Sequence, residues 1–354
     1  MNKTYINGIG SISAQKTFDN NGFLDEVVGY DETVIPAIDP IYKDYIPPAA
    51  ARRMAKGIKM GVVASKIALN EAGLENVDAI ITGTGMGCVI DSEKFVSAII
   101  DNNEAYLTPT SFIQSTHNTV GGQVALGMGC KGYNFTYVHS SNSFESALLD
   151  SLMQLEGKEA QYVLVGGVDE LGEHTTKVHK LVHHIKEQVE DSLKVLGCNT
   201  KGAIFSEGAN FFVLSNEKRA NTYAELCDVG IYNTLSKAEL TDTVTTFLRE
   251  NGVALEELDL VVIGNNGDEE FDGFYNTLGE GLFKDIPQAY YKHLCGEFNT
   301  ASAFGVWLAS KILRTGQVPE IVKLNDKSIS KPKNVLLYNQ YRGENHSLVL
   351  LKKC

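Results

Sequence analysis

One helix–strand pattern occurs twice in this chain of 354 residues. In the first copy, residues 69–74 form a helix end with a glycine cap, and residues 77–83 follow as an apolar strand. Residues 248–253 and 258–264 repeat this order in the second copy. Apolar strands flanked by helices are typical of a parallel sheet covered on both faces, which predicts an α/β fold. The repeat indicates two duplicated halves, with chance similarity of two helix–strand units as the alternative.

A second pair of similar segments lies about as far apart along the chain as the first pair does. Residues 117–119 (HNT) and residues 298–300 (FNT) are each followed by small side chains, which permit close packing at the start of a helix. We place the boundary between the halves in the polar stretch after residue 215. The predicted N-terminal half is residues 1–215 and the C-terminal half is residues 216–354. No stretch there is long enough for a free linker, so we expect one compact body.

The net charge, the cysteines and the lack of long apolar runs argue against a nucleic-acid-binding, secreted or membrane protein. The formal net charge is −13, whereas a nucleic-acid-binding protein is expected to be basic or to carry a basic stripe. The six cysteines are scattered without a CxxC pair, as expected for reduced thiols. Neither a signal peptide nor an apolar run of membrane-spanning length is visible. These features predict a cytoplasmic protein that binds neither nucleic acid nor membrane.

Five short motifs follow one another along the chain. They are residues 132–147 (GYNFTYVHSSNSFESA), 162–170 (YVLVGGVDE), 206–214 (SEGANFFVL), 292–297 (KHLCGE) and 345–349 (NHSLV). In this order they resemble the motifs of the β-ketoacyl synthases, beginning with the nucleophile region. The resemblance implies the thiolase fold, a duplicated architecture of five α-β-α-β-α layers that assembles as dimers. It also implies acyl-thioester substrates on an acyl carrier protein, without a cofactor or a metal ion.

The residues that carry condensation in this family are replaced. The family uses a cysteine at a strand-to-helix elbow, where the helix N-terminus lowers the pKa of the thiol, and two histidines. In the best register, Ser141 stands at the cysteine position, Asn265 falls near the first histidine and Glu297 falls on the second. A serine without an adjacent base is a poor nucleophile, and a carboxylate repels the malonyl carboxylate and the developing enolate. Lys292 matches the family's lysine, and we expect it to pair with Glu297.

The glycine-rich gate of the family is also altered, because residues 339–345 read NQYRGEN. Glycine permits backbone angles that we expect Gln340 and Arg342 to resist. This substitution disfavours a loop that opens to admit a malonyl thioester.

The resemblance therefore implies a homologue that does not condense by itself. We predict a subunit of the chain-length-factor type, which pairs with an active ketosynthase and shapes its acyl tunnel in fatty-acid, polyketide or polyene biosynthesis. One alternative is an active acyltransferase or thioesterase in which Ser141, helped by His139 or Glu297, is the nucleophile. Another is a carrier-protein-binding scaffold, and a homodimer remains the alternative to the heterodimer. A pairing subunit needs an apolar face near the central helices, whereas a standalone enzyme needs a pocket that reaches Ser141.

Three further patterns have simpler interpretations. In the histidine-rich residues 173–184, His179 and His183 are four apart, as zinc ligands on a helix are, but an exposed helix is the favoured interpretation. Residues 83–87 (GTGMG) lack the GxGxxG spacing of a dinucleotide site and predict a turn. The stripe that includes Trp307 predicts a buried helix face.

Overall fold

A computed structural model describes residues 3–354. Its strands are β1 (Thr4–Ile12), β2 (Ala79–Gly83), β3 (Tyr133–Tyr137), β4 (Tyr162–Asp169), β5 (Gly208–Ser215), β6 (Ala224–Thr234), β7 (Leu260–Ile263), β8 (Gln288–Tyr290), β9 (Asn334–Tyr341) and β10 (Glu344–Lys352). Its α-helices are α1 (Pro48–Ala51), α2 (Lys56–Ala72), α3 (Val89–Asp101), α4 (Pro109–Ser115), α5 (Thr119–Met128), α6 (Ser143–Glu156), α7 (Glu173–Leu181), α8 (Leu240–Glu250), α9 (Gly273–Gly279), α10 (Lys292–Cys295) and α11 (Ser302–Thr315).

The strand order repeats between the two halves of the chain. The hydrogen-bonded order is β3-β2-β4-β5-β1-β6-β10-β9-β7-β8. We number the five strands of each half 1 to 5 along the chain and read each half from the outer edge of the sheet towards its centre. Both halves then have the order 3-2-4-5-1, which confirms the duplicated fold. The apolar strands β2 and β7 each have parallel neighbours on both sides, as their sequences predict. The halves join where β1 pairs with β6, and the boundary after residue 215 stays a prediction.

Alternating side chains along the strands divide the core into layers. On β4, Val163 and Val165 point to a middle cluster, whereas Leu164 and Val168 point to an outer one. The middle cluster contains residues of α6, α11 and strands of both halves. A separate cluster covers the outer face of each half, with α2 and α5 on one side and α8 and α9 on the other. The result is the predicted α-β-α-β-α arrangement.

The helix α11 lies in the middle layer. Its predicted apolar stripe is almost completely buried, which confirms the interpretation as core: Trp307, Leu308, Ile312 and Leu313. Among residues 3–354, no helix is both long and apolar enough to cross a membrane.

Asp169, at the end of β4, fastens the two halves to each other. Its carboxylate accepts hydrogen bonds from the Thr84 hydroxyl (3.0 Å) and the Gly85 N–H (2.8 Å) in the turn after β2. The N–H and hydroxyl of Thr300, just before α11, donate to its other oxygen at 2.9 and 2.8 Å. Residues 83–87 therefore form a turn around a carboxylate, as the sequence interpretation expects. This clamp fixes the start of α11 beside the ends of β2 and β4.

Candidate functional site

Ser141 lies in the sharp connection between β3 and α6. Ser140 has a positive φ of 48°, which turns the backbone towards the helix. The hydroxyl of Ser143 donates to the Ser140 carbonyl at 2.6 Å and accepts from the His139 N–H at 2.8 Å, which holds the turn. Ser141 is 1% exposed in this connection. The sequence register thus places a serine at the buried elbow from strand to helix.

The hydroxyl of Ser141 has neither a hydrogen-bond partner nor an adjacent base in the described chain. Its Oγ is buried and makes no hydrogen bond within residues 3–354. The ring of His139, which we weighed as an activating base, lies 3.4 Å from Ser146 Oγ instead. Five cavities of about 420 to 920 Å³ in the described chain are all lined by residues other than Ser141. An attacking serine needs a base within hydrogen-bond reach and access to substrate; Ser141 Oγ has no such base among residues 3–354, and none of these five cavities leads to it.

Alanine substitutions of Ser141 and Ser143 test which of the two hydroxyl groups stabilises the fold. We expect Ser141→Ala to leave the free energy of unfolding unchanged or to raise it by up to about 1 kcal/mol, because it removes a buried polar group without a partner. Ser143→Ala should lower it by about 1–3 kcal/mol, because it deletes the two hydrogen bonds that the Ser143 hydroxyl makes in the turn. Urea unfolding of the two variants measures the difference. A clear loss of stability in Ser141→Ala would show that its hydroxyl has a partner after all.

The predicted pair of Lys292 and Glu297 is confirmed. Lys292 Nζ lies 2.7 Å from Glu297 Oε2, and the two side chains are 0% and 3% exposed. The side-chain amide of Asn266 donates to the same oxygen at 2.7 Å. Because a lysine and an amide both bind it, the Glu297 carboxylate is held in one place by the surrounding structure.

The end of β7 differs in detail from the sequence expectation. Asn265 directs its amide towards Asn276 (3.4 Å), and Asn266, which the sequence did not single out, is the residue that reaches Glu297. Gly264 directly follows β7, and a Cβ there would lie 2.6 Å from Tyr275 Oη and 3.2 Å from Lys292 Cε. A side chain as large as imidazole therefore has no room at this position.

None of the eight histidines makes a hydrogen bond to Ser141. The two on the second half are engaged elsewhere. His293 stacks on Tyr290 with ring centroids 3.8 Å apart and bonds the Ile321 carbonyl through Nε2 at 3.0 Å. His346 Nδ1 lies 2.9 Å from the hydroxyl of Tyr338. These two imidazoles are therefore engaged with Tyr290, Ile321 and Tyr338 rather than with Ser141.

His293 should make the fold sensitive to acid. Burial lowers the pKa of His293 to about 3, with the bond to Ile321 acting in the opposite direction. An unfolded chain takes up this proton near pH 6.5, so stability falls as the pH drops from 6.5 towards 3, by roughly 2–3 kcal/mol at pH 4.5.

The test compares wild type with His293→Phe, which keeps an aromatic ring against Tyr290 and cannot titrate. In urea unfolding, the stability advantage of wild type at pH 7.5 should shrink by about 2–3 kcal/mol at pH 4.5. An equal advantage at both pH values would mean that His293 is not buried in its neutral form.

The altered gate forms a tight hairpin between β9 and β10. Tyr341 pairs with Glu344, leaving Arg342 and Gly343 as a two-residue loop with φ values of 54° and 74°. Positive φ at both positions is what a type I′ hairpin turn requires. The expectation that Arg342 would resist such angles is therefore wrong, whereas Gln340 stays within its strand. The guanidinium of Arg342 lies over the Phe271 ring, 4.5 Å from its centroid.

The histidine-rich segment forms the exposed helix α7, as favoured from the sequence, and none of its residues is buried. The pairing of His179 with His183 that their spacing suggests is not formed. His183 has a positive φ of 56° and points to Glu187 (3.8 Å), while His184 contacts His179.

The chain belongs to the β-ketoacyl synthase family. The family model described as "Beta-ketoacyl synthase, N-terminal domain" matches residues 8–220. No curated protein matches the sequence.

Solved structures of the same fold span the whole chain. The ishigamide ketosynthase/chain length factor has 16% identity and a TM-score of 0.82, covering 100% of this chain and 99% of that one. A β-ketoacyl synthase from Burkholderia phymatum STM815 has 15% identity and a TM-score of 0.81, with 100% of both chains covered. The ketosynthase ApeO in complex with its chain length factor ApeC, from Xenorhabdus doucetiae, has 14% identity and a TM-score of 0.79, covering 100% and 98%.

Proposed function

We propose that this chain is a non-condensing member of the family, of the chain-length-factor type, that pairs with an active ketosynthase acting on carrier-bound acyl chains. The observation that carries the proposal is the elbow itself. Ser141 has neither a base nor a hydrogen-bond partner, and Glu297 is held by Lys292. Condensation needs a nucleophile activated by lowered pKa or a base, and donors where the enolate charge develops. The unpartnered hydroxyl of Ser141 and the engaged carboxylate of Glu297 therefore favour a member that does not condense by itself.

An exposed apolar surface supports a protein partner. All the large apolar side chains that are exposed in the described chain, except Val28 and Ile41, lie between Met86 and Val182. Contiguous apolar surface on a globular protein is typical of an interaction site. This surface, which we call the apolar face, includes residues of β3 and of α3 to α7, which lie next to one another: α3 contacts α4 and α7, α4 contacts α5, and both α5 and α6 contact β3.

The strand β3 gives this face an unpaired edge. It is the last strand in the sheet order, and its exposed side chains include Tyr133 and Phe135. Unpaired strand edges are templates for pairing with another chain. Two similar structures are described as ketosynthases with chain length factors, which favours a homologous ketosynthase as the partner on this edge.

Co-purification tests the proposal. The tagged chain is co-expressed with an intact ketosynthase encoded beside its gene and with an acyl carrier protein, and the complex is isolated by size exclusion. We expect an equimolar complex that makes product only when the cysteine of the ketosynthase is intact. A stable homodimer that ignores every such ketosynthase would contradict the proposal.

A further inference from the structure

The end of α7 brings two histidine rings together. The N–H of His184 donates to the His179 carbonyl at 2.9 Å, and the N–H of His183 donates to the Lys180 carbonyl at 3.1 Å. His183 between them has a positive φ of 56°. These two bonds around a left-handed residue form a Schellman motif, in which the side chains before and after the helix end meet. The backbone therefore fixes His184 beneath His179 and turns His183 away.

The two rings face each other through their Nδ1 atoms. Nδ1 of His179 lies 3.0 Å from Nδ1 of His184. The Phe205 ring packs on His179 with centroids 4.9 Å apart, which limits the rotation of the imidazole. Two imidazole nitrogens on a tetrahedral zinc ion, each at about 2.0–2.1 Å, are roughly 3.3 Å apart. To hold an ion between them, the nitrogen atoms must separate by about 0.3 Å, and each ring must turn by roughly 35° so that its lone pair points to the ion instead of to the other ring.

We propose that His179 and His184 form a two-histidine chelate for Zn²⁺ or a related late first-row divalent ion, with water molecules completing the coordination. Imidazole nitrogen is a preferred ligand of these ions. In the part of the chain that the structure describes, no group of three histidine, cysteine or acidic side chains is placed to hold a metal ion. With two protein ligands, the affinity is expected in the micromolar range, below that of structural zinc sites.

The protonation of the pair suits metal binding. Partial burial, followed by the nearby charge of Arg342, lowers the pKa of His179 and lowers that of His184 to about 4. The neutral imidazole is the form that binds metal ions, so these shifts act in the same direction as the geometry. On binding, the ring that donates in the shared hydrogen bond moves its proton from Nδ1 to Nε2, so no proton is released.

The surrounding charges nearly balance. The guanidinium of Arg342 opposes a bound cation, but it lies 3.9 Å from the carboxylate of Asp268 and over the Phe271 ring. The carboxylate of Glu270 acts on His184 in the favourable direction. Glu270 has one loose contact, to Lys201 at 3.8 Å. The Glu187 carboxylate faces His183 rather than the chelating pair.

Calorimetric titration with ZnCl₂ at pH 7.5 tests the site on the tag-free chain. All proteins carry Cys354→Ser, because this exposed thiol is a competing zinc ligand. We expect one ion per chain, with the affinity reduced at least tenfold in His184→Ala and, independently, in His179→Gln. The matched control is His183→Asn, since asparagine tolerates a left-handed conformation, and it should bind zinc as the parent does.

Circular dichroism and unfolding without zinc establish that each variant is folded. A second readout is the thermal midpoint, which zinc should raise in the parent and in His183→Asn but not in the other two variants. The proposal is overturned if zinc does not bind stoichiometrically, if His184→Ala or His179→Gln retains full affinity, or if His183→Asn loses as much as they do.

Discussion

Lys292→Met should lower the free energy of unfolding by about 3–5 kcal/mol, because it leaves the Glu297 carboxylate buried without its cation. Glu297→Leu should lower the free energy of unfolding by a similar amount, since it leaves the buried ammonium group of Lys292 without an opposite charge. The double variant should recover most of this loss, because replacing both charges by apolar groups of similar size removes the cost of burying them. Urea unfolding of the four proteins yields the coupling between the two sites as a double-mutant cycle.

Asn266 gives this cycle a control. Its amide donates to the same oxygen of Glu297, but it carries no charge. Asn266→Ala should lower the free energy of unfolding by about 1–3 kcal/mol, the usual range for a lost hydrogen bond to a charged group.

The double-mutant cycle also has a contradicting outcome. If the effects of Lys292→Met and Glu297→Leu simply add, the two groups are not coupled and the buried ion pair is not present in solution.

Phe135→Asp should abolish association with the partner ketosynthase, raising the dissociation constant roughly 100-fold or more, because an aromatic residue at the centre of an interface contributes about 2–4 kcal/mol. Phe135 lies on the unpaired strand β3 and is 46% exposed, so the substitution should spare the fold. The charge would be buried against apolar surface without a counter-ion in the complex. Sedimentation of the mixed proteins measures the effect.

Ile41→Asp is the matched control. Ile41 is also a large exposed apolar residue, but it lies in the segment between β1 and α1, outside the apolar face. This variant should bind the ketosynthase as wild type does. If Phe135→Asp still forms the complex with unchanged affinity, the partner does not dock on the β3 edge.

The features that the sequence predicts are those with a strong local signal. The apolar runs of β2 and β7 and their glycine-capped helices establish the duplicated α/β fold, since periodicity and caps are local properties. Ser141 falls at the elbow because its motif runs directly from a strand into a helix. Lys292 and Glu297 are only five residues apart across one short helix, so the pair is visible from spacing and charge.

The features that the sequence misses depend on backbone conformation. Arg342 adopts a positive φ because strand pairing on both sides forces a two-residue loop, and this constraint outweighs the preference for glycine. His184 replaces His183 as the neighbour of His179 because the helix ends in a left-handed residue, which breaks the spacing of four. The role of Asn266 at Glu297 depends on where β7 ends, and a shift of one residue is beyond the resolution of motif matching.

The central claim is that the Ser141 elbow does not form carbon–carbon bonds. The direct measurement combines this chain with a partner ketosynthase whose cysteine is replaced by alanine, adds acyl-loaded and malonyl-loaded carrier protein, and follows product and protein mass by mass spectrometry. The expected result is no 3-oxoacyl product and no acyl group on the peptide that contains Ser141, while the intact partner restores product. A 3-oxoacyl product in the absence of that cysteine, or an acylated Ser141, would contradict the claim.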